Sequence, residues 1–434
     1  MESLWRAETK LPQFSRLEED LQTDVLIIGG GMAGILCAYF LKQAGVDYVL
    51  VEADRICSGV TGNTTAKITS QHGFVYQKLV REFGPDGARL YYRANEEALA
   101  AYRELCRSIA CDFQEKDNYV YTLNAPEKLE KEISALVQIG ARAELAQPSA
   151  LPFPTAGAIR FPKQAQFDPL KFVNGIAGGL KIYERTAVKS FDGKAYRTDR
   201  GTIRANKTIV ATHFPLWNKH GSYFLKLYQH RSYVLALEYG LQLDGMYVDE
   251  SGTGLSFRNQ GDLLFLGGGS HRTGKQGGGW AELEQTARIY YPGAQIKYRW
   301  ATQDCMSLDG MPYIGQYSKQ TPDLYVAAGF NKWGMTSSML AAGILRDLIQ
   351  GKQNPYGELF SPSRTILRPQ LAANAVESVC NLLTPTKPRC PHVGCALKWN
   401  AQEHTWDCPC HGSRFGQDGK LLDGPATGDL SREK

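Results

Sequence analysis

The sequence predicts an α/β chain that carries an antiparallel-sheet domain and ends in a small all-β module. Three observations predict it. Near the start, a short apolar strand runs through a glycine-rich turn into a helical pattern; in the middle, short strands are split by glycines; near the end, two blocks pair cysteine with histidine.

The first element is Asp24-Val25-Leu26-Ile27-Ile28, a branched apolar run of the kind that forms a buried strand. It leads into Gly29-Gly30-Gly31-Met32-Ala33-Gly34 and a helical pattern through Leu41 that stops at Gly45; a second strand, Tyr48-Val49-Leu50-Val51, ends in Glu52. A strand before the glycines, a helix after them and an acidic residue about twenty positions on make up the dinucleotide fingerprint of a Rossmann-like unit. Gly29 permits the tight turn, Gly31 lets the backbone approach a pyrophosphate, and Gly34 lets helix and strand pack closely. The helix N-terminus then faces the phosphates, and Glu52 accepts from the ribose hydroxyls. Residues 25–41 carry no charge and approach a transmembrane length. Three consecutive glycines and the switch from strand to helix argue against a span. The opening Met1-Glu2-Ser3-Leu4-Trp5-Arg6 lacks the basic and apolar regions of a signal peptide, so the expectation is a soluble, cytoplasmic protein.

Residues 76–145 show helical periodicity. Residues 220–300 show short strands, such as Leu255-Ser256-Phe257-Arg258 and Leu263-Leu264-Phe265-Leu266 before Gly267-Gly268-Gly269, and are expected to form an antiparallel sheet. Prolines punctuate residues 353–386, which read as an extended connector with a short helix around 372–383.

The final blocks are Cys390-Pro391-His392-Val393-Gly394-Cys395 and Cys408-Pro409-Cys410-His411-Gly412-Ser413. Two thiolates and two imidazoles suit zinc or an iron–sulfur cluster. A zinc finger pairs like with like, whereas here each pair is one cysteine and one histidine. That mixed spacing is the pattern in which two histidines replace two cysteines on one iron of a [2Fe–2S] centre.

These blocks resemble the Rieske family. The resemblance implies that Cys390 and Cys408 hold one iron and His392 and His411 the other, that Cys395 and Cys410 form a disulfide, and that Ser413 donates to a cluster sulfur. Gly424-Pro425-Ala426 matches the covering proline loop. One departure is Phe415, where high-potential members have tyrosine; a ring without a hydroxyl cannot donate, which should lower the midpoint potential. Fewer than fifty residues remain from Lys387 onward, enough only for the cluster-binding part of such a domain.

The rest of the chain resembles the D-amino-acid-oxidase-like FAD oxidoreductases, which include glycine oxidase and the sarcosine oxidases. Matching segments occur in family order: the loop containing Thr61, Thr64 and Thr65; Ala211-Thr212 ending a strand, with His213 where glycine is usual; Asp309-Gly310-Met311-Pro312-Tyr313-Ile314-Gly315; and the loop-to-helix run from Gly329 through Lys332, Trp333, Gly334 and Met335. The resemblance implies FAD bound by these residues with Gly29, Gly31, Ala33, Gly34 and Glu52. A helix starting after Trp333-Gly334 would turn its unpaired N–H groups to the negative edge of reduced flavin, with Lys332 adding a charge. Arg258, on the sheet over the flavin, is the expected carboxylate grip; Arg231, Tyr233, His271 and Trp333 are secondary candidates.

At 434 residues the chain has room for about three domains. The expected division is an FAD-binding unit from 21–75, 165–215 and 303–352, a substrate domain from 76–145 and 220–300, the connector, and a Rieske domain from 387–434. A diffuse net charge of +5 does not imply nucleic acid. Six of ten cysteines scatter without repeating spacing, which is not a secreted disulfide framework. The expected activity is FAD-dependent oxidation of a small-molecule amine or amino acid, with electrons passed singly through the cluster to an unknown acceptor. A flavin reductase fed by NAD(P)H and a non-catalytic redox sensor remain open alternatives.

Overall fold

The computed structural model describes residues 2–217, 220–252 and 254–430. The branched strand Leu21–Ile28 lies at the middle of an eight-stranded sheet, parallel to Tyr48–Val51 on one side and to Thr202–Val210 on the other. Thr321–Ala328 continues the parallel order, and Tyr313–Ser318 closes that edge antiparallel. Central parallel strands are covered on both faces, which is why they read as unbroken apolar runs. Helices Met32–Gln43 and Gly334–Ile349 pack together in the core that includes Ile27 and Leu50, through Ile35, Leu36, Met339 and Ile344.

The second sheet has nine strands. Leu227–Glu238 pairs with Gln295–Ser307 and with Leu263–Arg272, followed by Ser256–Gln260, Met246–Asp249, Gln114–Thr122 and Gly157–Gln166. It is antiparallel except for Met246–Asp249 against Gln114–Thr122. Gln114–Thr122 falls within the stretch whose sequence reads as helical. Its first half is polar and exposed, so no alternation marks it as a strand. Period-two alternation sorts the strand Leu227–Glu238: Val234 and Ala236 join the core shared with the parallel unit, while Tyr233, Leu235 and Leu237 pack with Trp280 and Leu283 of helix Gly279–Tyr290. Helix Tyr76–Leu105 kinks at Gly84 (φ 72°), immediately before Pro85, whose ring cannot continue a straight helix.

Residues 398–423 form a four-stranded sheet of three-residue strands. The connector holds helix Pro369–Leu383 and is pinned along its length. Arg364 forks onto Asp309 (Nε–Oδ2 2.6 Å, Nη2–Oδ1 2.9 Å), Arg368 pairs with Glu82 at 3.0 Å, and Glu377 with Lys275 at 2.7 Å. No described helix is long and apolar enough to cross a membrane.

Candidate functional site

A cavity of about 1540 Å³ runs between the two sheets, from the glycine-rich turn to the proline loop of the C-terminal module. Its first end is mostly backbone. A Cβ on Gly29 would meet the Ala211 carbonyl at 2.5 Å, and one on Gly34 would collide with the Gly29 carbonyl, so both glycines are demanded by packing. Gly31 differs: a Cβ there would touch only Thr61 Oγ1, at 3.5 Å, leaving open space over the helix N-terminus. That space is the close approach a pyrophosphate needs.

Glu52 Oε2 accepts from Gly30 N at 2.6 Å and Oε1 from Asp54 N at 2.9 Å; burial raises its pKa. Thr61 Oγ1 accepts from Met32 N at 2.9 Å, capping the helix from the second loop. Ala33, Thr64, Thr65, Ala211, Thr212, Gly329, Gly334 and Met335 also line the cavity, whereas Gly34 lies beneath it. His213, standing in for the usual glycine, adopts φ 65°, the left-handed conformation that glycine would supply at less cost. Helix Gly334–Ile349 begins at the cavity wall, with Trp333 at its N-cap position making no side-chain capping bond and stacking its ring on His72 at 4.8 Å.

Arg258 is a correction. It is fully buried away from the cavity, donating to the carbonyls of Thr65 (2.7 Å) and Ala66 (3.3 Å) and to Gln260, with its guanidinium over the rings of Trp5 and Phe265. The short helix Leu4–Glu8 packs against this arginine and the second loop, Trp5 Nε1 donating to Thr64 O at 2.7 Å. Arg258 therefore props up the second loop.

The polar groups that do face the cavity form a chain. Lys332 Nζ donates to Gly252 O (2.9 Å) and Ser270 Oγ (3.2 Å); Ser270 Oγ donates to Ser232 Oγ (3.1 Å), and Ser232 Oγ to Asp304 Oδ2 (3.1 Å). Each hydroxyl has one proton, so the donation from Ser232 to Asp304 fixes the direction of every link back to Lys332. Burial lowers the pKa of Lys332, opposed by Asp304. His230, paired in register with Asp304, is pushed down to about 3 by burial, then by Lys332 and Arg272. Its buried Nδ1 has no hydrogen-bond partner among the described residues.

Cys390 and Cys408 are buried side by side, the Cys408 thiol donating to Cys390 and holding it below the ordinary thiol range, with Ser413 adding to this. The rings of His392 and His411 stand 5.0 Å apart. Burial keeps both imidazoles neutral, at about 4 and about 3, the form that binds metal. His411 Nδ1 is buried with no hydrogen-bond partner among the described residues, an orphan that a metal ligand's lone pair explains. Cys395 and Cys410 are joined in a disulfide. Ser413 Oγ accepts from Ala426 N at 3.0 Å, tying the second block to the proline loop and leaving its own proton for sulfur.

The module seats on the second sheet through polar residues of strands Leu227–Glu238 and Gln295–Ser307, some of which also line the cavity. Gln229 Nε2 donates to the carbonyls of His411 (2.9 Å) and Gly424 (3.0 Å); Gln303 Nε2 donates to Gly412 O and Asp423 Oδ2, both at 2.9 Å. Glu403 is clamped by Arg231, by Arg414 (2.7 Å) and by Tyr233 Oη (2.9 Å). Burial alone would raise its pKa, but the two arginines outweigh it and hold Glu403 down to about 2. Arg231 and Tyr233 thus serve docking. The signal in the sequence was Tyr228-Gln229-His230-Arg231-Ser232-Tyr233: polar residues at both parities of a buried strand mean two occupied faces.

Family comparison agrees with this architecture. An FAD dependent oxidoreductase family matches residues 24–348, and a Rieske [2Fe-2S] domain matches 381–432. The Bacillus subtilis protein YhfW, named for a Rieske 2Fe-2S iron–sulfur centre, is 34% identical over 99% of this chain and 97% of its own. Gamma-glutamylputrescine oxidoreductase of Escherichia coli is 24% identical over 79% of this chain and 87% of its own. Among solved structures, glycine oxidase from Geobacillus kaustophilus shares the fold with a TM-score of 0.68, at 20% identity over 80% of this chain and all of that one. The chain belongs to the FAD-dependent oxidoreductases, carries a Rieske domain at its C-terminal end, and has FAD and a [2Fe–2S] cluster as its cofactors.

Proposed function

We propose that the protein oxidises an amine or amino acid in the cavity and passes the electrons, one at a time, through the cluster to an acceptor outside the chain. The observation that carries this is the cavity itself, walled by the dinucleotide turn at one end and by residues 423–427 of the cluster module at the other. Two relatives are named for amino-bearing substrates, gamma-glutamylputrescine and glycine. When bound, FAD would take an electron pair as hydride from the carbon bearing the amine, and the cluster would carry electrons singly.

In this reading Cys390 and Cys408 hold one iron, His392 and His411 the other, and residues 21–75, 165–215 and 303–352 hold FAD. Lys332 lies where the substrate sits. Hydride leaves a neutral amine, so the ammonium proton must go first. Lys332 Nζ, its pKa lowered by burial, takes that proton, and the hydrogen-bond chain through Ser270 and Ser232 to Asp304 holds the ammonium in place.

The test is anaerobic mixing of holoprotein with panels of amines, amino acids and NAD(P)H, following flavin absorbance and cluster EPR. An amine or amino acid should bleach the flavin and then reduce the cluster. Bleaching by NAD(P)H alone would overturn this reading in favour of a reductase.

A further inference from the structure

Arg272 ends the strand Leu263–Arg272, and its guanidinium reaches the loop between Cys408 and His411. Nε donates to Pro409 O and Nη2 to Cys410 O, each at 3.0 Å, while Nη1 donates to Asn374 Oδ1 at 2.8 Å. The Tyr228 ring lies 5.0 Å from it. The approach is close because residue 274 is glycine: a Cβ there would meet Pro409 N at 2.6 Å. All these partners are neutral. Arg272 makes no ion pair among the described residues, and Glu377, which acts on it through space, is already paired with Lys275. In register Arg272 stands opposite His230. A full positive charge is therefore held between the cavity and the cluster loop, within Coulombic reach of Cys408.

We propose that Arg272 is a positioning residue for the cluster and that its charge raises the cluster's midpoint potential. This rests on the ligand reading of Cys390, His392, Cys408 and His411. Reduction adds one electron to the cluster, so a nearby cation favours the reduced form, the more so where little water screens it. Net charge and hydrogen bonding around the sulfurs are among the terms that set such potentials. The residue belongs to the oxidoreductase half, so that half adjusts the cluster it feeds.

The test uses two variants of the holoprotein, Arg272→Gln and Asn374→Asp, in EPR-monitored redox titrations with iron and acid-labile sulfide counted. Asn374→Asp leaves Arg272 and its docking bonds in place but sets a carboxylate against it. Asn374 Nδ2 has no partner to lose among the described residues, and Oδ1 already accepts from Arg272 and from Gln370. Both midpoints should fall below wild type, that of Arg272→Gln further, while Lys297→Met, at an exposed cation, leaves the midpoint unchanged. Wild-type midpoints in both variants would overturn the proposal. If Arg272→Gln loses its cluster, Asn374→Asp decides alone, and an unchanged midpoint there overturns it. Wild-type protein without iron and sulfide would instead remove the ligand reading.

Discussion

The two cofactor sites are built from opposite materials. At the dinucleotide end the cavity wall is mostly backbone, held by an eight-stranded sheet and two helices in a large shared core. At the cluster end the proposed ligands are four side chains in a module whose own core consists of four cysteines, Leu397, Phe415 and Ala426. Small modules of this kind need staples, and here the staples are the cluster, the disulfide and the docking clamp. The difference teaches how each site fails: the backbone site by degrees, the side-chain site all at once.

The sharpest break of that comparison is His411→Ala. It should abolish the cluster while FAD stays bound at wild-type stoichiometry, read by iron, sulfide and flavin content. Retention of a Rieske EPR signal would show that His411 is not a ligand.

Glu403→Gln comes next. Removing one partner of a buried ion cluster costs about 3 kcal/mol, so the module should undock more readily, seen as faster proteolysis near residues 385–388. The same group gives a pH test. Glu403 is held at about 2 against an ordinary value of 4.5, a depressed folded value. Its contribution is complete above about pH 4.5 and is lost as pH falls towards 2. The wild type should lose docking stability across that window, and the Gln variant should lose less there.

Gly31→Ala probes the other end. The added methyl meets nothing closer than 3.5 Å, so the apoprotein should melt as wild type does. FAD affinity should drop about tenfold, or about 1.4 kcal/mol. A drop in apoprotein stability would mean that the glycine serves packing instead.

The smallest effect belongs to Phe415→Tyr. The ring is fully buried in the module core, and a hydroxyl able to donate towards the cluster should raise its midpoint modestly. An unchanged midpoint would place the hydroxyl out of reach of sulfur.

Much of this was legible in the sequence because both motifs are local. Glycines that must approach a backbone, and the paired cysteine–histidine blocks of the matched Rieske domain, leave their spacing in the chain. Arg258 was misread because residue type and strand face do not say which end of a strand lies under the site. Ser256, two positions earlier, lines the cavity; Arg258 lies beneath Trp5. Ser232, Ser270 and Asp304 come together only by strand register and carry no spacing signal. Gln229, Gln303 and Arg272 are ordinary surface residue types, put to use by a module far along the chain.

The pinned connector has a mechanical consequence. With Arg364 forked on Asp309, Arg368 on Glu82 and Glu377 on Lys275, residues 353–386 act as a strut where a loose tether would let the module swing. On the proposed function, a cluster so held stays beside the cavity that feeds it. The acceptor must then come to the cluster, and turnover should scale with acceptor concentration.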